Sequence, residues 1–344
     1  LDAFTLVGVV DPDETNRQQV SQQFATQAFS DYREVFDLVD AAVIATPTRF
    51  HHAVALDFLA RGIHVLVEKP LASQAREAGD LVAAARRSQR VLEVGHVERF
   101  NPAWTKALPH LRSPRYIEAV RAGSFSFRST DIGVVLDLMI HDLDLILSLV
   151  TEPLVRVDAT GMSLLGRHED LANARLTFAD GCVASITASR VSTQPTRTMQ
   201  IWTDRCLANL DFATRTGTLV RPSEAILRHE IDVERLTPAE RLHVKDHLAD
   251  YLPTERIEAQ PVDAITAELQ DFAESIRTGR TPRVSGEQAQ RAVEVAEMIV
   301  EAIRRQTSSP AEPAQIPQSQ PSTIPSPHFT GKLARQPNVR REAG

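Results

Sequence analysis

His64-Val-Leu-Val-Glu-Lys-Pro70 decides the reading of this sequence. Four residues of a buried strand run without a polar break into Glu68 and Lys69, and Pro70 then fixes φ where the backbone must turn. A continuous apolar run of this kind suits a parallel sheet covered on both faces. Three similar runs surround it. Leu6–Val10 ends at Asp11-Pro12, Ala41–Ala45 ends at Thr46-Pro47-Thr48, and Val91–Val94 ends at Gly95. Helical patterns lie between them. Ala53–Ala60 closes at Gly62, a C-cap glycine, and Ser73–Ser88 takes Ser73 as its N-cap. Strand and helix alternate, which predicts a doubly wound α/β domain over residues 1–98.

From about residue 115 the texture changes. Leu136–Leu149 is strongly helical. Val155–Leu164, Ala174–Phe178, Cys182–Ser189, Met199–Thr203 and Leu207–Phe212 alternate like antiparallel strands, with Ala179-Asp180-Gly181 as a hairpin turn. Residues 230–255 read as a charged surface insertion, helical near Pro238–Leu248. Ala264–Arg277 and Gln288–Arg305 are amphipathic helices. Residues 99–306 therefore predict an α+β domain with an open, mostly antiparallel sheet. The Pro-, Ser- and Gln-rich stretch 307–344 predicts a disordered tail.

Composition limits the function. The chain has 344 residues, 42% hydrophobic and 24% charged, with a formal net charge of -7. That acidic balance argues against general affinity for nucleic acid or an anionic membrane. No apolar run reaches the length of a membrane span. Cys182 and Cys206 are the two cysteines. They exclude a disulfide framework, and neither they nor the eleven histidines show metal-ligand spacing, so no metal site is expected.

Ligands of open parallel sheets bind at the carboxyl ends of the strands. Asp11 stands where a dinucleotide fold uses an acid to hold the adenosine ribose, which favours NAD over NADP; a turn-forming Asp before Pro12 looks the same. The loop G-x-G-x-x-G that belongs about 20 residues earlier is not in the sequence. The chain begins at Leu1, and the reading places the first strand, that loop and its helix upstream. An open slot in the sheet and weak cofactor binding by these 344 residues follow as expectations. Asp137 and His141 are four residues apart on a largely apolar helix, which predicts one shared, partly buried face.

Thr46-Pro47-Thr48 with His51, then Gly62-x-His64-Val-Leu-Val-Glu68-Lys69-Pro70-Leu71-Ala72, then Asp137-x-x-x-His141-Asp142, resemble the Gfo/Idh/MocA (glucose–fructose oxidoreductase/inositol dehydrogenase) family, in order from Leu6 to about residue 305. Gly95-His-Val-Glu-Arg-Phe-Asn-Pro102 with Asp131–Asp137 is similar to members that oxidise C3 of UDP-N-acetylglucosamine or related nucleotide sugars. The resemblance implies a Rossmann domain, a substrate domain and an NAD(P)-dependent oxidoreductase acting on a secondary alcohol. It implies a homo-oligomer, dimer or tetramer, in the cytoplasm. It places Lys69 by the nicotinamide and the reacting hydroxyl, Glu68 at the nearer ribose, and Thr46, Pro47 and His51 along the dinucleotide. Asp11 then holds the adenosine ribose. Asp137 and His141 complete the catalytic group, and Arg99 and Asn101 approach the substrate.

Oxidation removes a hydride and a proton. His141, with a reference pKa of about 6.5, suits the base; Asp137 would then fix its tautomer and Lys69 would stabilise the alkoxide. The alternative makes Lys69 the base and His141 the positioning group. Rival readings are a non-catalytic dinucleotide-binding regulator, a protein whose tail is the working part, or a family enzyme for a free sugar, inositol or another cyclic substrate.

Overall fold

The computed structural model describes residues 3–127, 131–258 and 263–308. The first part runs β1 (Gly8–Val10), α1 (Glu14–Phe24), β2 (Gln27–Phe29), β3 (Ala41–Ile44), α2 (Thr48–Ala60), β4 (His64–Glu68), α3 (Ala75–Ser88) and β5 (Leu92–Gly95). The hydrophobic pattern gives no sign of α1 or β2, for a physical reason. α1 buries no residue and is held by its ends: Asp13 accepts from Asn16 N, and Ala25 closes it in the left-handed region. α2 starts five residues before the expected Ala53, because Pro47 and a buried His51 extend it. At α3 the N-cap is Gln74 rather than Ser73. Ser73 Oγ donates to Glu77, and the free Ala75 N–H is taken by Glu297 from a distant helix. The glycine cap holds: Gly62 has φ +74°.

All the pairings among these strands are parallel, but they form two pieces. β1 pairs with β2, and β4 lies between β3 and β5. Among the described residues no ladder joins the pieces. Val43, on the same face as Leu66, is 54% exposed in the middle of β3. The opposite face is closed. Val65 and Val67 of β4 pack with Val54, Phe58 and Leu59 of α2 and with Leu81, Val82 and Ala85 of α3.

The second part runs α4 (Pro102–Ala107), β6 (Pro114–Ala122), a π-helical turn (Val135–Met139), α5 (Ile140–Leu149), β7 (Leu154–Met162), β8 (Leu171–Phe178), β9 (Val183–Ser189), β10 (Thr196–Thr203), β11 (Leu207–Asp211) and β12 (Thr216–Val220). The exposed segment that follows holds α6 (Glu224–Leu227), α7 (Pro238–Asp246), α8 (Leu248–Tyr251) and β13 (Thr254–Ile257), and the chain ends in α9 (Ala264–Thr278) and α10 (Gly286–Ser308). The expectation of a tail over 307–344 lies outside the described residues beyond the end of α10.

The sheet order is β13-β12-β11-β10-β6-β9-β8-β7, antiparallel throughout except for β6 against β9. Gly181, with φ +87°, turns the expected hairpin between β8 and β9. One face buries Ile117, Ala119, Leu176, Ile186, Met199 and Ile201 with residues of α5 and α10, while the other shows Thr198, Gln200 and Asn209. Cys182 and Cys206 are buried and unpaired. Among the described residues no helix is long and apolar enough to cross a membrane, and no His/Cys/Asp/Glu group could hold a metal ion.

The boundary at residue 98 does not separate the two cores. Val284 and Ala289 belong to the apolar cluster of the first part, with Ala264 and Ala267 packed against it. Val94 N donates to Val284 O, so the last segment of the chain extends the β5 edge.

This return also buries two carboxyls. Glu93 of β5 is 0% exposed, and neither carboxyl oxygen has a protein partner. Burial, with Asp271 and Glu268 beside it, pushes its pKa up to about 9. Burial, with Glu68 and Asp271, pushes Glu268 of α9 up to about 8. Both hold a proton at neutral pH. A raised folded pKa gives stability that is complete below the unfolded value and fades as pH rises towards the folded one. Glu93→Gln should therefore stabilise the fold by about 2 kcal/mol at pH 7 and by almost nothing near pH 4. Melting curves at the two pH values check this, and an equal gain at both would refute it.

Candidate active site

Lys69 follows β4 and reaches into the second part of the molecule. Its Nζ donates to Asp137 O at 2.7 Å and to Asp137 Oδ1 at 3.1 Å. Both side chains are mostly buried, at 19% and 17% exposure. An ammonium has three N–H donors, so one is left for a ligand.

Asp137 lies in the π-helical turn that precedes α5. Such turns widen the helix, and they recur at functional sites. This one overturns the expected pairing of Asp137 with His141. The Asp137 carboxylate goes to Lys69 instead. Among the described residues no hydrogen bond joins Asp137 to His141, and His141 Nδ1 is buried without a partner. Asp137 holds the lysine charge and does not set the histidine tautomer.

His141 is half-buried at the start of α5. Burial holds its pKa well below 6.5, and its electrostatic interactions with Lys69, Arg121, His96 and Arg197 act in the same direction. It is a neutral imidazole at pH 7. Against it, 6.2 Å between centroids and at 87°, stands His96. His96 is 1% exposed with an unpartnered Nδ1. Burial lowers its pKa too, with Arg99 and Lys69 adding and Asp144 opposing.

The expected cofactor residues line the carboxyl ends of the parallel strands. Asp11 follows β1, and its Oδ1 accepts from Asp13 N at 2.8 Å. Thr46 and Pro47 are exposed after β3. Glu68 is half-buried, and Oε2 accepts from Lys69 N at 3.2 Å. Gly95 lets β5 approach it: a Cβ there would lie 3.1 Å from Glu68 Oε2. His51 is different. It is 1% exposed, with Nδ1 2.9 Å from Pro70 O and Nε2 2.8 Å from Thr46 O. The imidazolium donates to both carbonyls and the neutral ring to one. His51 therefore ties together the turns after β3 and β4 from beneath and does not line the open edge. These residues fit the two ribose ends of a dinucleotide. No glycine-rich loop of the chain is present for its diphosphate.

Arg99 and Asn101, expected to approach substrate, are buried in structural contacts. Arg99 Nε lies 2.9 Å from Asp144 Oδ2, without hydrogen-bond alignment. Asn101 caps α4 through Ala103 N and donates to Glu98 Oε2 and Phe212 O. Beside them Arg121 of β6 is bidentate on Asp142, at 2.9 and 3.0 Å, and donates to Glu98 Oε1 at 3.0 Å. Burial works against the Arg121 charge, but Asp142 and Glu98 outweigh it and raise its pKa. The sequence reading missed Arg121, His96 and Arg197. Two aspartates, 142 and 144, on an apolar helix were the signal that buried arginines must face it.

A parallel half with acids and a lysine at its strand ends, met by a histidine from an antiparallel-sheet half, is the design of a nicotinamide-dependent oxidoreductase. Residues 1–96 match the oxidoreductase family, NAD-binding Rossmann fold, and residues 95–206 match the GFO/IDH/MocA C-terminal domain. The chain belongs to the GFO/IDH/MocA family. It is 34% identical over 287 residues to the UDP-N-acetylglucosamine 3-dehydrogenase of Acidithiobacillus ferrooxidans, covering 80% of this chain and 82% of that protein. It is 25% identical over 300 residues to scyllo-inositol 2-dehydrogenase (NAD(+)) of Bacillus subtilis (strain 168), covering 81% of each. A solved structure of the Acidithiobacillus enzyme superposes with a TM-score of 0.76 at 31% identity, over 87% of this chain and 90% of that one. Levoglucosan dehydrogenase in complex with NADH and levoglucosan shares the fold, with a TM-score of 0.73 at 17% identity over 88% of each chain.

Proposed function

We propose that this protein oxidises the C3 hydroxyl of UDP-N-acetylglucosamine or a closely related nucleotide sugar, with NAD as the partner. The observation that carries the reading is the meeting of Lys69 and His141, in a chain similar over 80% of its length to a UDP-N-acetylglucosamine 3-dehydrogenase. Bound nicotinamide supplies the hydride acceptor. The chain does the rest. Asp11 and Glu68 hold the two riboses. Asp137 aims Lys69, and the remaining N–H of Lys69 bonds the substrate oxygen and stabilises the charge that develops there. His141 enters neutral and takes the hydroxyl proton. Its lowered pKa keeps the proton-accepting form populated through neutrality. Two free thiols fit the cytoplasm, and the open sheet face supports a dimer or tetramer.

NADH formation should appear with UDP-N-acetylglucosamine and be at least about tenfold weaker in kcat/KM with N-acetylglucosamine or scyllo-inositol. The rate should hold from pH 8 to 6.5 and fall only on an acid limb well below 6.5, where His141 takes up a proton before the substrate arrives. Equal rates with inositol would remove the nucleotide-sugar reading. An acid limb above pH 7 would remove His141 as the base.

A further inference from the structure

We propose that Arg197 forms an anion subsite of the substrate cleft and takes the diphosphate of the nucleotide sugar. This rests on the reading above for the identity of the sugar, and on the β10–β6 pairing for the position of the cation.

β10 pairs antiparallel with β6, and the register sets Arg197 directly opposite Arg121. Directly opposed residues share a face of the sheet, and like charges there repel. Met199 and Ile201, the next residues of β10 on that face, are fully buried. Arg197 therefore points to the side of the sheet that carries α5 and His141, at the strand end where the apolar row stops and solvent begins. Its backbone is fixed, for Phe212 N donates to Arg197 O at 2.8 Å.

The two arginines differ in what balances them. Arg121 is buried and held by Asp142 and Glu98. Arg197 is exposed, and Asp142 feels its charge only at a distance, with no hydrogen bond or ion pair to its side chain among the described residues. Its charge nevertheless reaches the His141 ring. Two further cations, Lys69 and Arg121, act on that ring in the same direction. A neutral sugar needs no such field. A diphosphate does, and a guanidinium binds it in a planar, two-pronged geometry. In a nucleotide sugar the ring stands between the reacting hydroxyl and the diphosphate. A cation set apart from Lys69 and His141, within electrostatic reach but outside hydrogen-bond contact, occupies the place this separation requires.

The test uses calorimetric titration of the whole chain with UDP, inorganic pyrophosphate and uridine. Arg197→Ala should weaken UDP and pyrophosphate about tenfold or more and leave uridine unchanged; Arg197→Lys should recover part of the loss. Wild-type affinity for UDP should fall with added salt. NAD binding and melting temperature should match wild type in both variants. No UDP binding by the wild type, or equal UDP affinity in wild type and Arg197→Ala, overturns the subsite. So does a uridine loss as large as the pyrophosphate loss. Arg197-dependent UDP binding without NADH formation from UDP-N-acetylglucosamine would keep the subsite and reject the proposed reaction.

Discussion

Arg121→Leu should destabilise the fold by about 3–5 kcal/mol, among the largest losses open to a single substitution here. Arg121 is 4% exposed and neutralises two carboxylates at once. Asp142 is 1% exposed and Glu98 8%, so removing the cation leaves two buried carboxylates without the guanidinium that hydrogen-bonds them. Burial already raises the pKa of Asp142 against the pull of Arg121. Without Arg121 it rises further, and the loss should shrink as pH falls and the two carboxyls protonate. Arg121→Leu with Asp142→Leu should lose less than Arg121→Leu alone, because the double change also removes an orphaned charge. Urea unfolding of the three proteins at pH 7.5 and 5 measures this. A loss below about 1 kcal/mol, independent of pH, would show that the network contributes nothing beyond ordinary packing.

Lys69→Met should lower kcat about a thousandfold or more, since it removes the donor to the developing alkoxide and frees the Asp137 carboxylate to repel it. It should also change a quantity that does not depend on turnover. After burial, the Lys69 charge does most to depress the His141 pKa. Its removal should move the His141 titration upward, towards the ordinary histidine value, as read by NMR of the ring protons. A variant within tenfold of wild-type kcat would dismiss Lys69 from the chemistry. An unmoved His141 titration would mean that burial alone sets its basicity.

The strands that carry the site were legible because their burial is written as uninterrupted apolar runs: His64–Val67 became β4, and Ala41–Ala45 became β3. The hairpin at Asp180-Gly181 was legible from its turn residues. β6 was not, because Arg121 stands on its buried face and breaks the alternation that marks a strand. α1 and β2 were not, because a helix fixed by its caps needs no apolar stripe. Lys69, Asp137 and His141 do come together, as their motifs suggested. The sequence spacing misassigned their partnerships, since four residues along an ordinary helix are not four residues across a π-helical turn. Arg99 and Asn101 stand beside the right motif, but Arg99 is buried against Asp144 and the Asn101 amide is taken up by Glu98 and Phe212. Nothing in the pattern around Arg197 distinguishes it from a solvated surface arginine; only the β10–β6 register does.

Val284, Ala289, Ala264 and Ala267 complete a core whose strands were laid down far earlier in the chain. On a ribosome this sets an order of events. β4 and β5 leave the exit tunnel with α2 and α3 to cover one face, but the helix and edge segment that bury Glu93 have not yet been made. At ~5–20 residues per second, the intervening chain takes about 10–40 s to synthesise. During that interval the nascent nucleotide-binding half is an unfinished product with an uncovered apolar face, the kind of surface that chaperones attend. Closure of this first core is therefore a late event, for it waits on residues made long after its own strands.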